Sequence, residues 1–339
     1  MLNVLAIFVI TSSHHNLKSR LLLALAVSWV SVVDVHAQAD QDLIDEIREA
    51  LKVALDQDSL GAGYAAMINF AVAPDISTAS YTVENEDGGN PELNVSRVPF
   101  RINFPAGSSG MQPFIQANLT YQTLDSRFDF VPGEHVNSRH KAYGGSISFG
   151  AELPIGDHLT LLPVVDTGLV RLKNSAGYHG EFSSQILEPA LSGLVFDWKA
   201  NAWLVGVSLG FDYGRNFERN DLKVHGSVTH YHVESYDSTS EAIEFSNEMT
   251  TFNLQLENAW NTGKNLAGYP VGLVTHAGAT QFLGNNRDVL GFDRFFDVGI
   301  ALETDLSSKN WKVNRLRLGA KLIFGEDVDG WGLMLGYRF

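Results

Sequence analysis

Two periods divide the chain. From Asp40 to Gln57 (DQDLIDEIREALKVALDQ), Leu43, Ile44, Ile47, Leu51, Ala54 and Leu55 recur at spacings of three and four, with acids between them. That spacing predicts a short amphipathic helix, which Gly61 and Gly63 end. Beyond it the period is two. Trp331, Leu333, Leu335, Tyr337 and Phe339 alternate with Gly332, Met334, Gly336 and Arg338. Before them Leu316, Leu318, Ala320, Leu322 and Phe324 alternate with Arg315, Arg317, Gly319 and Lys321. The linker between the two segments contains Asp329-Gly330, a hairpin signal. The same dyad recurs at Phe296–Leu302, Phe196–Ala202, Ile147–Leu153, Ile115–Tyr121 and Tyr64–Phe70.

Candidate strands fall at about 62–72, 93–104, 112–124, 141–154, 158–171, 194–203, 205–214, 221–233, 243–257, 268–281, 294–305, 313–324 and 331–339. Single-chain bacterial barrels take an even number of strands, so one of these thirteen ranges is in excess. The ambiguous place is Leu194–Tyr213, where the apolar face switches at Leu204–Val205 with no turn residue between. One long bulged strand accounts for it and gives about twelve. Asn85–Pro91, Ser126–His140, Asn174–Glu188 and Phe282–Asp288 read as long outward loops, and Pro154–Asp157 as a tight turn on the opposite side.

The expected fold is all-β: a transmembrane antiparallel β-barrel preceded by a short amphipathic helix. A soluble sandwich also alternates. Here about a dozen uncharged faces recur, more core than one soluble domain holds, and Tyr121, Tyr213, Trp260, Trp311, Trp331 and Phe339 sit near segment ends, where interfacial aromatics belong. Lipid also demands a closed sheet.

The amino-terminal segment agrees. Lys18 and Arg20 precede the apolar run Leu21–Val33, and Val35-His36-Ala37 supplies a cleavage site. The run is too short for a membrane-spanning helix. The reading is therefore a signal peptide over 1–37, a helix over 38–60 acting as lumen plug or periplasmic rim, and a barrel over 61–339. Residues 1–17 are either an unusually long signal or an upstream start.

Composition removes other classes. The formal charge of −15 argues against a nucleic-acid surface. The absence of cysteine removes disulfide, Cys-zinc and thiol chemistry. No GxSxG, HExxH, phosphate-loop or dinucleotide motif occurs. His230 and His232 share a strand face and His276 lies on another strand, while Asp166 and Asp197 are inward only by parity. None of these spacings defines a catalytic or metal site, and no cofactor is implied. The polar faces are more informative. Arg315, Arg317, Lys321 and Arg338 need partners inside a lumen, and Asp297 and Glu303 on the preceding strand share their side.

The ending Trp331, Leu333, Leu335, Tyr337, Phe339 resembles the assembly signal of bacterial outer-membrane barrels. The mature chain is similar to the autotransporter β-barrel domain, with Asp40–Gln57 in the place of its pore helix. Only Gln38–Gly61 stands where a passenger would be, so the match is to the solitary outer-membrane autotransporter barrels. The resemblance implies a bacterial outer-membrane location and a structural or passive-transport role. It also implies contact with outer-membrane lipid, lipopolysaccharide, periplasmic chaperones and the barrel-assembly machinery. A small porin-like solute channel, an outer-membrane hydrolase and a surface adhesin remain alternatives.

Overall fold

The computed structural model describes residues 37–54, 68, 79–83, 91–266, 268–283, 292–306 and 315–338. All of the expected signal segment but Ala37 therefore lies outside the described residues, as do most of the range at 62–72 and Phe339. Helix α1 is Ala37–Ala54. The strands are β1 Ala79–Val83, β2 Glu92–Asn103, β3 Gln112–Val131, β4 Glu134–Ile155, β5 Leu159–His179 and β6 Lys199–Asn216. They continue with β7 Asn220–Ser238, β8 Ser246–Leu266, β9 Tyr269–Leu283, β10 Arg294–Asp305, β11 Arg315–Gly325 and β12 Val328–Arg338. All pairing is antiparallel between neighbours, and β1 pairs with both β2 and β12, closing a twelve-stranded barrel. Closure satisfies the backbone around the whole ring, the condition hydrocarbon imposes.

Several sequence-based expectations change, among them the loop read at Asn174–Glu188, whose first six residues belong to β5. β1 has no counterpart among the thirteen ranges; its five residues, ASYTV, are too few to display a period. Ser126–His140 is not a loop but the far end of the β3–β4 hairpin, which turns only at residues 132–133. Leu194–Tyr213 holds one strand, as expected, but no bulge explains its switch of face. β6 pairs with β5 without interruption from Lys199 to Tyr213. Ala200, Ala202 and Leu204 point inward and are buried, whereas Val205, Val207 and Leu209 point outward and are exposed. The backbone keeps its period; the apolar surroundings change sides. A register shift does occur between β6 and β7, at Asn201/Ala202, where Tyr236 is the extra residue on β7.

Strands β3 to β8 contain 18–22 residues, while a tilted strand crosses a bilayer in about 9–11. On β3, β4 and β5 the excess lies at the end opposite the carboxyl terminus, here termed the long end. On β4 the outward residues Tyr143, Ile147, Phe149 and Ile155 are exposed apolar groups, and beyond Tyr143 the outward residues are Lys141, Arg139 and Asn137. The inward face does the reverse. Ser146 and Ser148 give way to Ala142 and Val136.

The long end is consequently packed from inside. One buried cluster joins Ile68 to Leu172, Trp198, Leu204, Val233, Ile243 and Phe245. Another joins Tyr81, Leu93, Val95, Phe282, Phe292 and Phe295. A third seats α1: its Ile44, Ile47 and Leu51 meet Val136, Phe196 and the connection between β5 and β6. That connection holds a π-helical turn, Ser183–Leu187, and helix α2, Glu188–Leu191. Arg48 Nη1 donates to the Pro189 carbonyl at 2.8 Å. α1 thus packs at the long end. Its apolar stripe goes where inward apolar residues are offered.

Candidate functional site: the charged wall of the lumen

In the lipid-facing zone the inward positions are polar and buried. Asn118 donates to Ser146 Oγ at 3.1 Å, Thr229 to Ser208 Oγ at 2.9 Å and Asn253 to Thr280 Oγ1 at 2.9 Å. These cross-strand pairs satisfy groups that burial would otherwise leave costly. The charged residues concentrate on β8 to β11. Antiparallel pairing sets Glu303 opposite Arg317, and Glu257 opposite His276.

Side chains complete the chain of contacts. Glu303 accepts from Arg315 Nη1 at 3.0 Å and from Arg317 Nη2 at 2.9 Å. Arg317 Nη1 reaches across to Glu257 Oε1 at 2.6 Å. On the long-end side, Asp297 Oδ1 meets His276 Nε2 at 2.7 Å and Lys321 Nζ at 3.3 Å. Asp297, His276 and Lys321 are all buried. The two groups approach through His276 Nδ1 and Glu257 Oε1, 3.9 Å apart. Gly278 makes room for this packing, because a Cβ there would run into the Asp297 carboxylate. Three cations (Arg315, Arg317, Lys321) thus face three anions (Glu303, Glu257, Asp297), with the His276 ring between them.

The structure brings together five of the six residues read from the sequence as lumen charges. The sixth, Arg338, lies opposite Arg315 in the β11–β12 ladder, and only its backbone is described. Glu257 and His276 complete the set. Glu257 was legible: Leu254 and Leu256 are outward lipid residues, so parity turns Gln255 and Glu257 inward. Of the carboxyl-terminal signal, Trp331 and Leu333 project outward and are 56% and 39% exposed. Leu335 and Tyr337 continue the ladder through their backbones.

The other candidates separate. Asp166 is inward and buried. Asp197 is not inward: it is an exposed corner residue with φ of 57° just before β6, accepting from Ala176 N at 2.9 Å and from Tyr178 Oη at 3.3 Å. His230 and His232 face outward, the first beside Thr250 and the second beside Trp203. Among the described residues no group of three or more His and acidic side chains is arranged to hold a metal.

Toward the carboxyl-terminal end lies a cavity of about 550 Å³, lined by His158, Asp212, Lys223, His225, Gln255 and Glu257 among others. Asp212 Oδ1 and His225 Nδ1 are 2.6 Å apart there. This partly open, charged mouth contrasts with the apolar packing at the long end.

An unbroken ring of strands, oily outside and charged within, defines an integral β-barrel of the bacterial outer membrane. The chain belongs to the family described as the solitary outer membrane autotransporter beta-barrel domain, whose model matches residues 78–339. Among solved structures, the translocator domain of autotransporter NalP from Neisseria meningitidis is similar at 14% identity and a TM-score of 0.51. The match covers 77% of this chain and 85% of that one, and it supports the fold alone. The transport unit of AIDA-I from Escherichia coli matches at 10% identity and a TM-score of 0.49, over 83% and 99% of the two chains. The beta domain of the Bordetella autotransporter BrkA matches at 15% and 0.48, over 77% and 95%. No curated protein matches the chain.

Proposed function

We propose that this barrel is a plugged scaffold in the outer membrane, with its long end facing the cell exterior and its lumen closed there by the protein's own amino-terminal segment. The orientation follows the general asymmetry of such barrels, whose extracellular connections are the longer ones. One observation carries the plug: clusters of inward apolar residues fill the long end, and Ile68 and α1 are buried among them. A water-filled passage would leave Trp198, Leu172 and Phe245 wetted, at roughly 25 cal/mol per Å² of apolar surface.

Insertion would use β12 as the strand read by the assembly machinery, with Trp331 and Leu333 as outward anchors. Planar-bilayer recording tests the plug. The full mature chain is expected to show little steady conductance, and deletion of residues 38–60 to open one. Equal conductance before and after deletion would count against it.

A porin-like channel is the second reading, favoured by the charged cavity at the carboxyl-terminal end. It requires a steady, charge-selective conductance in the undeleted protein.

A further inference from the structure

We infer that the outer wall of β4–β6 is a binding site for the phosphate groups of lipopolysaccharide in the outer leaflet. The inference rests on the proposed orientation, in which the long end is outside.

Lys141, Lys173 and Lys199 are successive cross-strand partners: Lys141 stands opposite Lys173, and Lys173 opposite Lys199. All three lie on the outward parity of their strands, and Arg171 is outward one dyad nearer the lipid zone, opposite Tyr143. Strands are about 4.8 Å apart, so the lysine row spans roughly 10 Å. Like charges set directly opposite one another destabilise a sheet. Among the described residues no acid pairs with any of the four. The nearby acids are engaged elsewhere: Asp125 with Arg139, Asp237 with Asn201 and Glu234 with His232. This concentration of positive charge stands on a protein of net charge −15.

Position identifies the occupant. The Tyr121–Tyr143 stack, at 6.1 Å between centroids, and the exposed Leu169 close the outward apolar band on β3–β5. The next outward residues are Thr123, Lys141 and Arg171. A ligand held here has phosphates beside the lysines and acyl chains against Leu169, Ile147 and Val205, which are all exposed. Free phosphate satisfies the first requirement and not the second. Each cation near an anionic membrane surface strengthens binding about fivefold, so three removed together weaken binding by well over about tenfold.

The test uses the full chain purified in mild detergent from outer membranes, with retained lipopolysaccharide measured by native mass spectrometry. The triple variant Lys141→Gln/Lys173→Gln/Lys199→Gln is expected to lose at least about tenfold of the retained lipid while keeping heat-modifiable migration. Lys173→Glu alone serves if the triple variant does not fold. Adding purified lipopolysaccharide should raise the unfolding temperature of the parent, and a dephosphorylated preparation should not. Unchanged retention in both variants overturns the site, as does equal loss in Arg127→Gln, which lies elsewhere on the outer wall. Displacement by millimolar inorganic phosphate would reduce the site to an ion contact and overturn the lipid. Orientation is read separately. The chain has no cysteine, so Asn137→Cys gives one thiol, and its labelling on intact cells by an impermeant maleimide supports the outward long end. Labelling only after permeabilisation overturns the orientation. Labelling on intact cells with unchanged retention overturns the site alone.

Discussion

The two ends of β4 obey the same geometry under opposite solvents. Between Tyr143 and Ile155 its outward residues meet hydrocarbon and its inward ones, Ser146 and Ser148, are polar. Between Val136 and Ala142 the inward face carries buried Val136 and Ala142, with Ser138 and His140 between them bonded to Asn174, and Arg139 and Lys141 are outward. The lower zone is a membrane protein and the upper one is built like a soluble barrel, on a single continuous strand. Alternation alone therefore says that a segment is a strand with two unlike faces. It does not say which face is inside.

Changes at matched positions would break or sharpen this contrast. The largest effect is expected from Trp198→Ala in the upper core, about 3–5 kcal/mol of lost stability by the usual cost of removing a buried aromatic. Urea unfolding of the reconstituted barrel measures it. In the lower zone, Lys321→Met leaves Asp297 buried with only His276, at about 3–5 kcal/mol for a broken buried pair. The double variant Lys321→Met/Asp297→Asn should recover much of that, and equal losses in the single and double variants would show the pairing to be immaterial.

Outward substitutions on β4 address the same contrast directly. Ile147→Lys faces lipid and should cost roughly 2–4 kcal/mol near the bilayer midplane. Asn137→Lys, outward on the same strand above the lipid, should stay within about 0.5 kcal/mol. Similar costs for both would erase the boundary between the zones.

A pH effect belongs to the upper zone. Burial pushes the His140 imidazole down to about 4. Its Nε2 lies 2.9 Å from Asn174 Nδ2, whose amide also donates to Ser138 Oγ at 2.8 Å. The imidazole is thus held neutral in the fold, while the unfolded chain takes up a proton below its ordinary value of 6.5. The stabilisation is whole above pH 6.5 and falls as pH drops toward about 4, by up to roughly 3 kcal/mol in all. Replacing His140 by Phe should flatten that part of the stability profile.

Much of this was legible from the chain. Residues 313–324 and 331–339 read as strands because Leu316, Leu318 and Leu322, then Trp331 and Leu333, face lipid against charged or glycine alternates. Asp297, Glu303, Arg315, Arg317 and Lys321 followed from parity. What stayed hidden depended on surroundings. Phe128, Phe130 and Val136 alternate with charged residues as clearly as any lipid-facing strand, yet their polar neighbours Arg127, Asp129 and Asn137 suggested a loop. The parity change at Leu204–Val205 resembled a backbone irregularity because only one apolar environment had been assumed. His276 was singled out, but its place in the charged wall was hidden because its partners, Glu257 and Asp297, arrive from two other strands through registers that local spacing does not encode.

The uninterrupted ladder between β5 and β6 from Lys173–Lys199 to Leu159–Tyr213 has an evolutionary corollary. One inserted or deleted codon within such a strand would rotate every later side chain by half a turn, exposing serines to oil and burying lysines in the cap. Length can drift there only in pairs, whereas the connections between strands are free to grow by any number, so descendants of this chain should differ mainly in their turns.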